Sequence, residues 1–179
     1  MSSISGFIKL LRSSPPLVRI QLLSALCVTL VGFIGLNFSQ WEEYTPPDAS
    51  KFIAVEGRVS GQPASWENNR SLAKFSVAYK IDGVRQGKPI YTYWELYRQS
   101  GLRINSKVLL TVERVKEGSI VRALATLEGR VLYDDKFSRQ VIAWNNESIK
   151  RFTVMAGAIS AAVAVVTLII ALRHRRTLL

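Results

Sequence analysis

The sequence predicts membrane-spanning α-helices combined with an all-β domain: two transmembrane helices flanking a small antiparallel β-barrel-like unit. Three observations predict it. Two uncharged runs, Ile20 to Phe38 and Phe152 to Leu172, each have about the 20 residues that an α-helix needs to cross a hydrocarbon core. Every Asp and Glu lies between Glu42 and Glu147, whereas the segments before Ile20 and after Leu172 hold Lys9, Arg12, Arg19, Arg173, Arg175 and Arg176. Between Lys51 and Tyr133 the apolar residues alternate with the β period.

In chain order, "ISGFIKLLRSS" lies in an N-terminal segment, residues 1–16, expected to be cytoplasmic. It sets Ile4, Phe7, Ile8 and Leu11 at helical spacing with Lys9 and Arg12 elsewhere, which suits a short helix on the inner leaflet; an unstructured tail is the equal alternative. Pro15 and Pro16 end it and open the next helix, where a missing N–H costs little. Residues 17–40 form the first span. A cleaved secretory signal competes, but the apolar run is longer than a usual signal core and "GLNFSQ" offers no small-residue cleavage site, so an uncleaved anchor is expected. Residues 41–50, with "TPPDAS", read as a stiff extended linker.

The β-domain is expected over residues 51–133. "AKFSVAYKI" puts Ala73, Phe75, Val77, Tyr79 and Ile81 on one face of a strand and ends in Asp82-Gly83, a hairpin signal. "SKVLLTVERV" and "SIVRALATLEGRVLY" repeat the alternation around Lys116-Glu117-Gly118, a second hairpin. With "FIAVEGRVS" ahead and "PIYTYWEL" between, about five strands result, and an OB-like barrel is the most economical arrangement. Pro89 makes its strand an edge or a bulge. The echo of "VEGRV" (Val55 to Val59) in "LEGRV" (Leu127 to Val131) is read as two glycine-kinked strands rather than a duplication. Residues 134–151 are expected to form an interfacial helix, with Asp134 as N-cap and Phe137, Val141 and Trp144 on one face. Residues 152–172 are the second span and 173–179 a basic cytoplasmic tail.

Two buried helices of a soluble core would need far more chain to cover them, so spanning is preferred. Lys and Arg in the short flanks set direction, placing both termini in the cytoplasm and the middle domain in the periplasm of a bacterial inner membrane. Trp41, Tyr44 and Trp144 then serve as outer interface anchors, with Lys150 and Arg151 reaching the headgroups. The net charge of +11 would suggest nucleic acid on a soluble protein, but its distribution points to a membrane instead. Asn69-Arg70-Ser71 and Asn146-Glu147-Ser148 match the glycosylation pattern and leave a eukaryotic secretory membrane open.

The sole His, His174, belongs to the tail and the sole Cys, Cys27, to the first span. That removes His- and Cys-based catalysis, the common zinc sites and an intrachain disulfide from the β-domain. No cofactor, metal or catalytic residue is expected; a Ser-Lys hydrolase is the residual enzymatic alternative. Glu42-Glu43 and Asp134-Asp135 are read as headgroup spacing or helix capping. Inside the membrane there is no acidic or basic residue to relay protons or bind an ion, which argues against a transporter or channel. Gly32, Gly35, Gly157 and Ala161 allow close helix approach, within the chain or to a partner helix. The best candidate binding surface is "KPIYTYWELYRQSGLR": Tyr91, Tyr93 and Tyr97 on one face, with Lys88, Arg98 and Arg103 near its ends, suited to a protein, glycan or lipid headgroup.

The stretch "GLRINSKVLLTVERVKEGSIVRALA" resembles bacterial two-pass membrane proteins of unknown function that carry a small extracytoplasmic β-domain. Their pattern is a strand with a Gly-x-Val core, a hairpin, and a "v-G-d-k-V-x-v" turn and strand before the second span. Here "EGRV" and "INSKVLLTV" stand in those places, with Asn105 where Gly is expected. The resemblance implies an architecture and no activity. The function expected is that of a non-enzymatic inner-membrane scaffold or accessory subunit of a cell-envelope assembly. Its partners would be membrane lipid and a membrane or periplasmic protein, with no nucleic acid and a homo-oligomer left open.

Overall fold

The computed structural model describes residues 2–116 and 118–174. The expectations that rest on Glu117, on the basic residues Arg175 and Arg176, and on the side chains of Ile4 and Phe7 lie outside what is described. The chain divides into two compact units, Met1–Trp41 with Glu147–Leu179, and Glu42–Asn146.

In the first unit, α1 spans Ser2–Ser13 and α2 spans Pro16–Phe38. Pro15 is the N-cap of α2 and Pro16 its first residue, so the two prolines break one helix and start the next, as their missing N–H groups dictate. Arg19 fastens the break: its Nε donates to Ser14 O and its Nη2 to Arg12 O, each at 2.7 Å, satisfying carbonyls left free at the end of α1. The second apolar stretch belongs to α4, Asp135–Arg173, a single helix of 39 residues. Both helices are long and apolar enough to cross a membrane, and their apolar side chains stay exposed: Val28 at 72 % and Val154 at 65 % are typical. The two helices touch at Cys27, whose Sγ–H donates to Ser160 O at 3.5 Å.

The second unit is an antiparallel sheet of seven strands curled into a half-barrel. The strands are β1 (Phe52–Val59), β2 (Ala64–Trp66), β3 (Asn69–Ile81), β4 (Val84–Tyr93), β5 (Lys107–Val115), β6 (Gly118–Thr126) and β7 (Val131–Tyr133). A short helix, α3 (Trp94–Gln99), follows β4, and a single 3-10 turn, Ala49–Lys51, precedes β1. The sheet order is β2-β3-β1-β5-β6-β7, with β4 on the other side of β3. Where the path stops short of closing, side chains bridge: Thr92 Oγ1 donates to Leu132 O at 2.7 Å, and Ser119 Oγ is hydrogen-bonded to Gln86 Oε1.

The alternation seen in β3 is the core. Ala73, Phe75, Val77, Tyr79 and Ile81 are all buried, while Lys74, Ser76 and Lys80 face out. The hairpin after it is a two-residue turn, Ile81 facing Val84, with Asp82 at φ 51° and Gly83 at φ 81°, the left-handed pair that a tight hairpin requires. Asn105 takes φ 69° at the position where the resemblance expects Gly, and its N–H donates to Val59 O at 2.8 Å. Asn tolerates the left-handed region better than other side chains, so the substitution keeps the turn.

Two of the seven strands were not legible. β2 and β7 have three residues each, too short to show a period. The echo of "VEGRV" in "LEGRV" is not two kinked strands: the first lies in β1, but Leu127 to Arg130 form the turn between β6 and β7, with Gly129 at φ 84°. Gly57 in β1 is glycine for a different reason. A Cβ there would meet Leu110 Cδ1 at 2.7 Å and Ala78 O at 3.2 Å. Leu110 can swing aside but the ladder carbonyl cannot, so Gly57→Ala is expected to cost about 1–3 kcal/mol. A thermal midpoint unchanged by that substitution would refute the close packing of β1 on its neighbours.

Candidate functional site

Each residue of the expected binding surface has a definite place. Tyr91 and Tyr93 lie two apart on β4 and share its outward face, but their rings pack against other rings: Tyr91 on Trp66 at 4.9 Å and Tyr93 on Phe137 at 5.2 Å. Tyr97 does not join them. It is buried on α3 in the core of the curled sheet, 5.1 Å from the Phe75 ring, because the six-residue helix turns its apolar face inward. Burial raises the phenols of Tyr91, Tyr97 and Tyr133 above their ordinary value, so all three stay neutral. Arg98 is exposed on α3 with its guanidinium 5.6 Å over the Trp94 ring, Arg103 is exposed beyond α3, and Lys88 is half-buried on the free edge of β4. The structure therefore brings Tyr91 and Tyr93 together, into the packing of the unit itself.

What they pack against is the first part of α4. Asp134 is its N-cap, accepting the Phe137 N–H at 2.7 Å. Phe137, Val141 and Trp144 then face Trp66, Leu72 and Tyr91 in a second apolar cluster, in which Leu72 is wholly buried. Trp144 meets Phe137 edge-on at 6.2 Å. Tyr44 is likewise engaged within the unit: its hydroxyl donates to Asp135 Oδ2, a bond that raises its pKa, and Arg139 sits 5.4 Å over its ring. Trp41 remains exposed and stacks on Phe38 at 5.9 Å. Lys150 and Arg151 are exposed, Arg151 pairing with Glu147 at 2.9 Å. Neither Tyr44 nor Trp144 is free to act only as an interface anchor, because each has a protein partner for its polar or apolar surface.

The two apolar helices meet at the small residue Ser160, opposite Cys27, and not at Gly32, Gly35, Gly157 or Ala161. Gly32, Gly35 and Gly157 have open space at the Cβ position and Ala161 is exposed. The asparagines of the two glycosylation patterns are tied to the backbone: Asn69 Oδ1 accepts from Ser71, and Asn146 exchanges hydrogen bonds with the Glu42 backbone at 3.2 and 2.7 Å.

The feature that sequence reasoning missed is a buried ionic network. Glu113 and Arg122 are 3 % and 4 % exposed. Arg122 Nε donates to Glu113 Oε2 at 2.6 Å and its Nη1 to Asp135 Oδ1 at 3.0 Å, while Asp48 N donates to Glu113 Oε1 at 3.2 Å. Nη2 lies 2.6 Å from the same Glu113 oxygen but makes no well-aligned hydrogen bond. A bulge creates the arrangement. Thr111 faces Ala123 and Val112 faces Val121, so Arg122 is an extra residue in β6, turned out of the alternation towards Asp135. Asp135 thus serves the network and Asp134 the helix cap, where the sequence had suggested capping for the pair. Nearby, the Ser50 hydroxyl and Lys51 hold the Asp48 carboxyl down at about 2.

Two open faces remain on the outside of the sheet. On β1, β5 and β6 the outward residues Ala54, Leu109, Ala123 and Ala125, with Val131, line a mainly apolar trough of about 350 Å³ that Glu56 and Thr111 also border, and in it Leu109 and Val131 are 46 % and 57 % exposed. On β3 and β4, short of the two tyrosines, the outward residues from Ser76 to Lys80 and from Arg85 to Pro89 are small or basic. Among the described residues no group of three or more His, Cys, Asp or Glu is placed to hold a metal ion. Searches of protein-family models, curated proteins and solved structures found no match to this chain.

Proposed function

We propose that this chain is a two-pass inner-membrane protein, with both termini cytoplasmic and an OB-like domain in the periplasm, acting as a non-enzymatic scaffold or accessory subunit of a cell-envelope assembly. The observation that carries the reading is the exposure of the apolar helices. Side chains such as Val28, Phe33, Val154 and Leu168 are more than half exposed, a burden that only lipid or partner helices relieve. The basic flanks of these helices support the cytoplasmic placement of both ends. The OB-like assignment is supported by connectivity: β1 lies between β3 and β5, β3 and β4 form one hairpin, β5 and β6 another, and α3 sits between the hairpins.

Contact with a protein partner is assigned to the apolar trough around Leu109, since the tyrosines expected to make it are occupied within the unit. The hydroxyls of Ser50, Ser71, Ser100 and Ser119 bond to carboxylate, amide, carbonyl or phenol oxygens rather than to a lysine amine, which favours the scaffold over a Ser-Lys hydrolase.

Topology is tested by cysteine labelling in a Cys27→Ser background. Glu128→Cys is expected to react with a membrane-impermeant maleimide in intact cells, while Ser3→Cys and Thr177→Cys react only after lysis. The opposite pattern would overturn the reading. A photo-crosslinking side chain at Leu109 is expected to capture a second protein; a chain that extracts in mild detergent alone and monomeric would sink the scaffold role.

A further inference from the structure

The outward face of β3 and β4 carries charge in a way that folding alone does not explain. Cross-strand partners share a face, so Lys74 stands beside Tyr91, Ser76 beside Pro89, Ala78 beside Gly87, and Lys80 beside Arg85. On the other side of β3, Arg58 stands beside Ala78, and Arg58 in turn faces Lys107 on β5. Two pairs of like charge are therefore set directly opposite each other, Lys80 with Arg85 and Arg58 with Lys107, an arrangement that destabilises a sheet. Lys107 is relieved by Glu56 at 2.9 Å. The ion pairs among the described residues do not include Arg58, Lys74, Lys80 or Arg85. The single acid of the hairpin, Asp82, is taken by Arg114 at 2.7 Å.

We propose that this face is a binding track for a linear anionic polysaccharide, which supplies the negative charge that the fold withholds. Length and relief fit such a chain. Lys74 and Lys80 are six residues apart on one strand, a distance of roughly 20 Å. Between them the floor is Ser76, Ala78, Gly87 and Pro89, low enough for an extended polymer to lie near the backbone while the cations at either end close over it. A folded protein partner would need a protruding aromatic or aliphatic anchor at the centre of its contact, and between Lys74 and Lys80 the face offers none: Tyr91, at one end, is half-buried against Trp66, and Tyr93, beyond it, packs on Phe137. Lys74, with its Nζ 5.7 Å over the Tyr91 ring, sets a cation at one end of the track. The track adjoins the trough at Glu56, two residues from Arg58 on the same face of β1, but its charges lie outside the trough; that the polymer is a glycan and not a nucleic acid rests on the periplasmic placement proposed above.

The test uses the full chain in a neutral detergent with fluorescent dextran sulfate as probe. Binding is expected, absent with uncharged dextran of the same length, and weakening steeply as salt rises. Lys80→Glu with Arg85→Glu is expected to weaken binding about tenfold or more, whereas Arg130→Glu with Lys136→Glu, the same change in net charge away from this face, leaves it within about twofold. Lys80→Ala with Arg85→Ala, which introduces no new charge, should give an intermediate loss and report on folding. Equal losses in the two Glu variants would mean that net charge alone attracts the polymer and would overturn the track. So would failure of the wild-type chain to bind, or tighter binding to anionic vesicles or to an oligothymidylate than to dextran sulfate. None of these outcomes depends on the labelling pattern that decides topology.

Discussion

Arg122→Ala is expected to destabilise the β-unit by about 3–5 kcal/mol, because it strands a charge rather than merely deleting a contact. Glu113 is 3 % exposed and would keep the Asp48 N–H, at 3.2 Å, as a hydrogen-bond donor and the charge of Lys51 nearby, but no cation bonded to its carboxylate. Asp135, which is partly exposed, would lose its 3.0 Å bond to Nη1 at the same time, loosening the first turn of α4. Removing both buried charges, as Glu113→Leu with Arg122→Met, is expected to cost less than Arg122→Ala alone, since no uncompensated ion remains. A denaturant titration of the full chain in detergent, followed through tryptophan fluorescence, measures both. Loss of less than about 1 kcal/mol in the single variant would mean that Glu113 is not buried with Arg122 as its counter-ion.

Phe75→Ala should cost a comparable amount, about 3–5 kcal/mol, for an unrelated reason. The ring is 2 % exposed, packs 5.1 Å from Tyr97, and faces Ile90 across the β3–β4 ladder. Its removal opens a hole that neighbours fixed in a curled sheet cannot fill. Lys74→Ala, one residue away and on the outward face, is expected to change stability by less than about 0.5 kcal/mol. The same titration compares them. Similar effects at the two positions would overturn the facing of β3.

Much of the β-unit was readable because its signals are local. The alternation of Ala73, Phe75, Val77, Tyr79 and Ile81 needs only a pleated strand and one dry side. Asp82-Gly83 specifies its own turn through backbone conformation, and Asp134 its own helix start through one hydrogen bond to Phe137. The candidate site was less readable. Tyr91, Tyr93 and Tyr97 looked alike in sequence, yet the first two pack against rings of Trp66 and Phe137 while α3 turns the third into the core. The one available hint of the ionic network was charge set among apolar residues, Glu113 and Arg114 in "TVERV" and Arg122 in "IVRAL". A strand pattern assigns such a charge to the outside unless a bulge intervenes, and bulges leave no reliable mark in one sequence.

The sequence by itself determined the two long apolar helices, the proline break ahead of the first, the strand whose one side is core, and the tight hairpin after it. These follow from residue neighbours a few positions apart, where sterics and periodicity act without the rest of the chain. Only the tertiary structure decided which groups neutralise Arg122, what covers Leu72, and where the curled sheet is bridged. Tyr44 and Asp135 are 91 residues apart and Thr92 and Leu132 are 40 apart. Pairings at that separation depend on how the sheet curls and on where a single extra residue sits in β6, quantities set by packing of the whole unit and encoded in no short stretch of it.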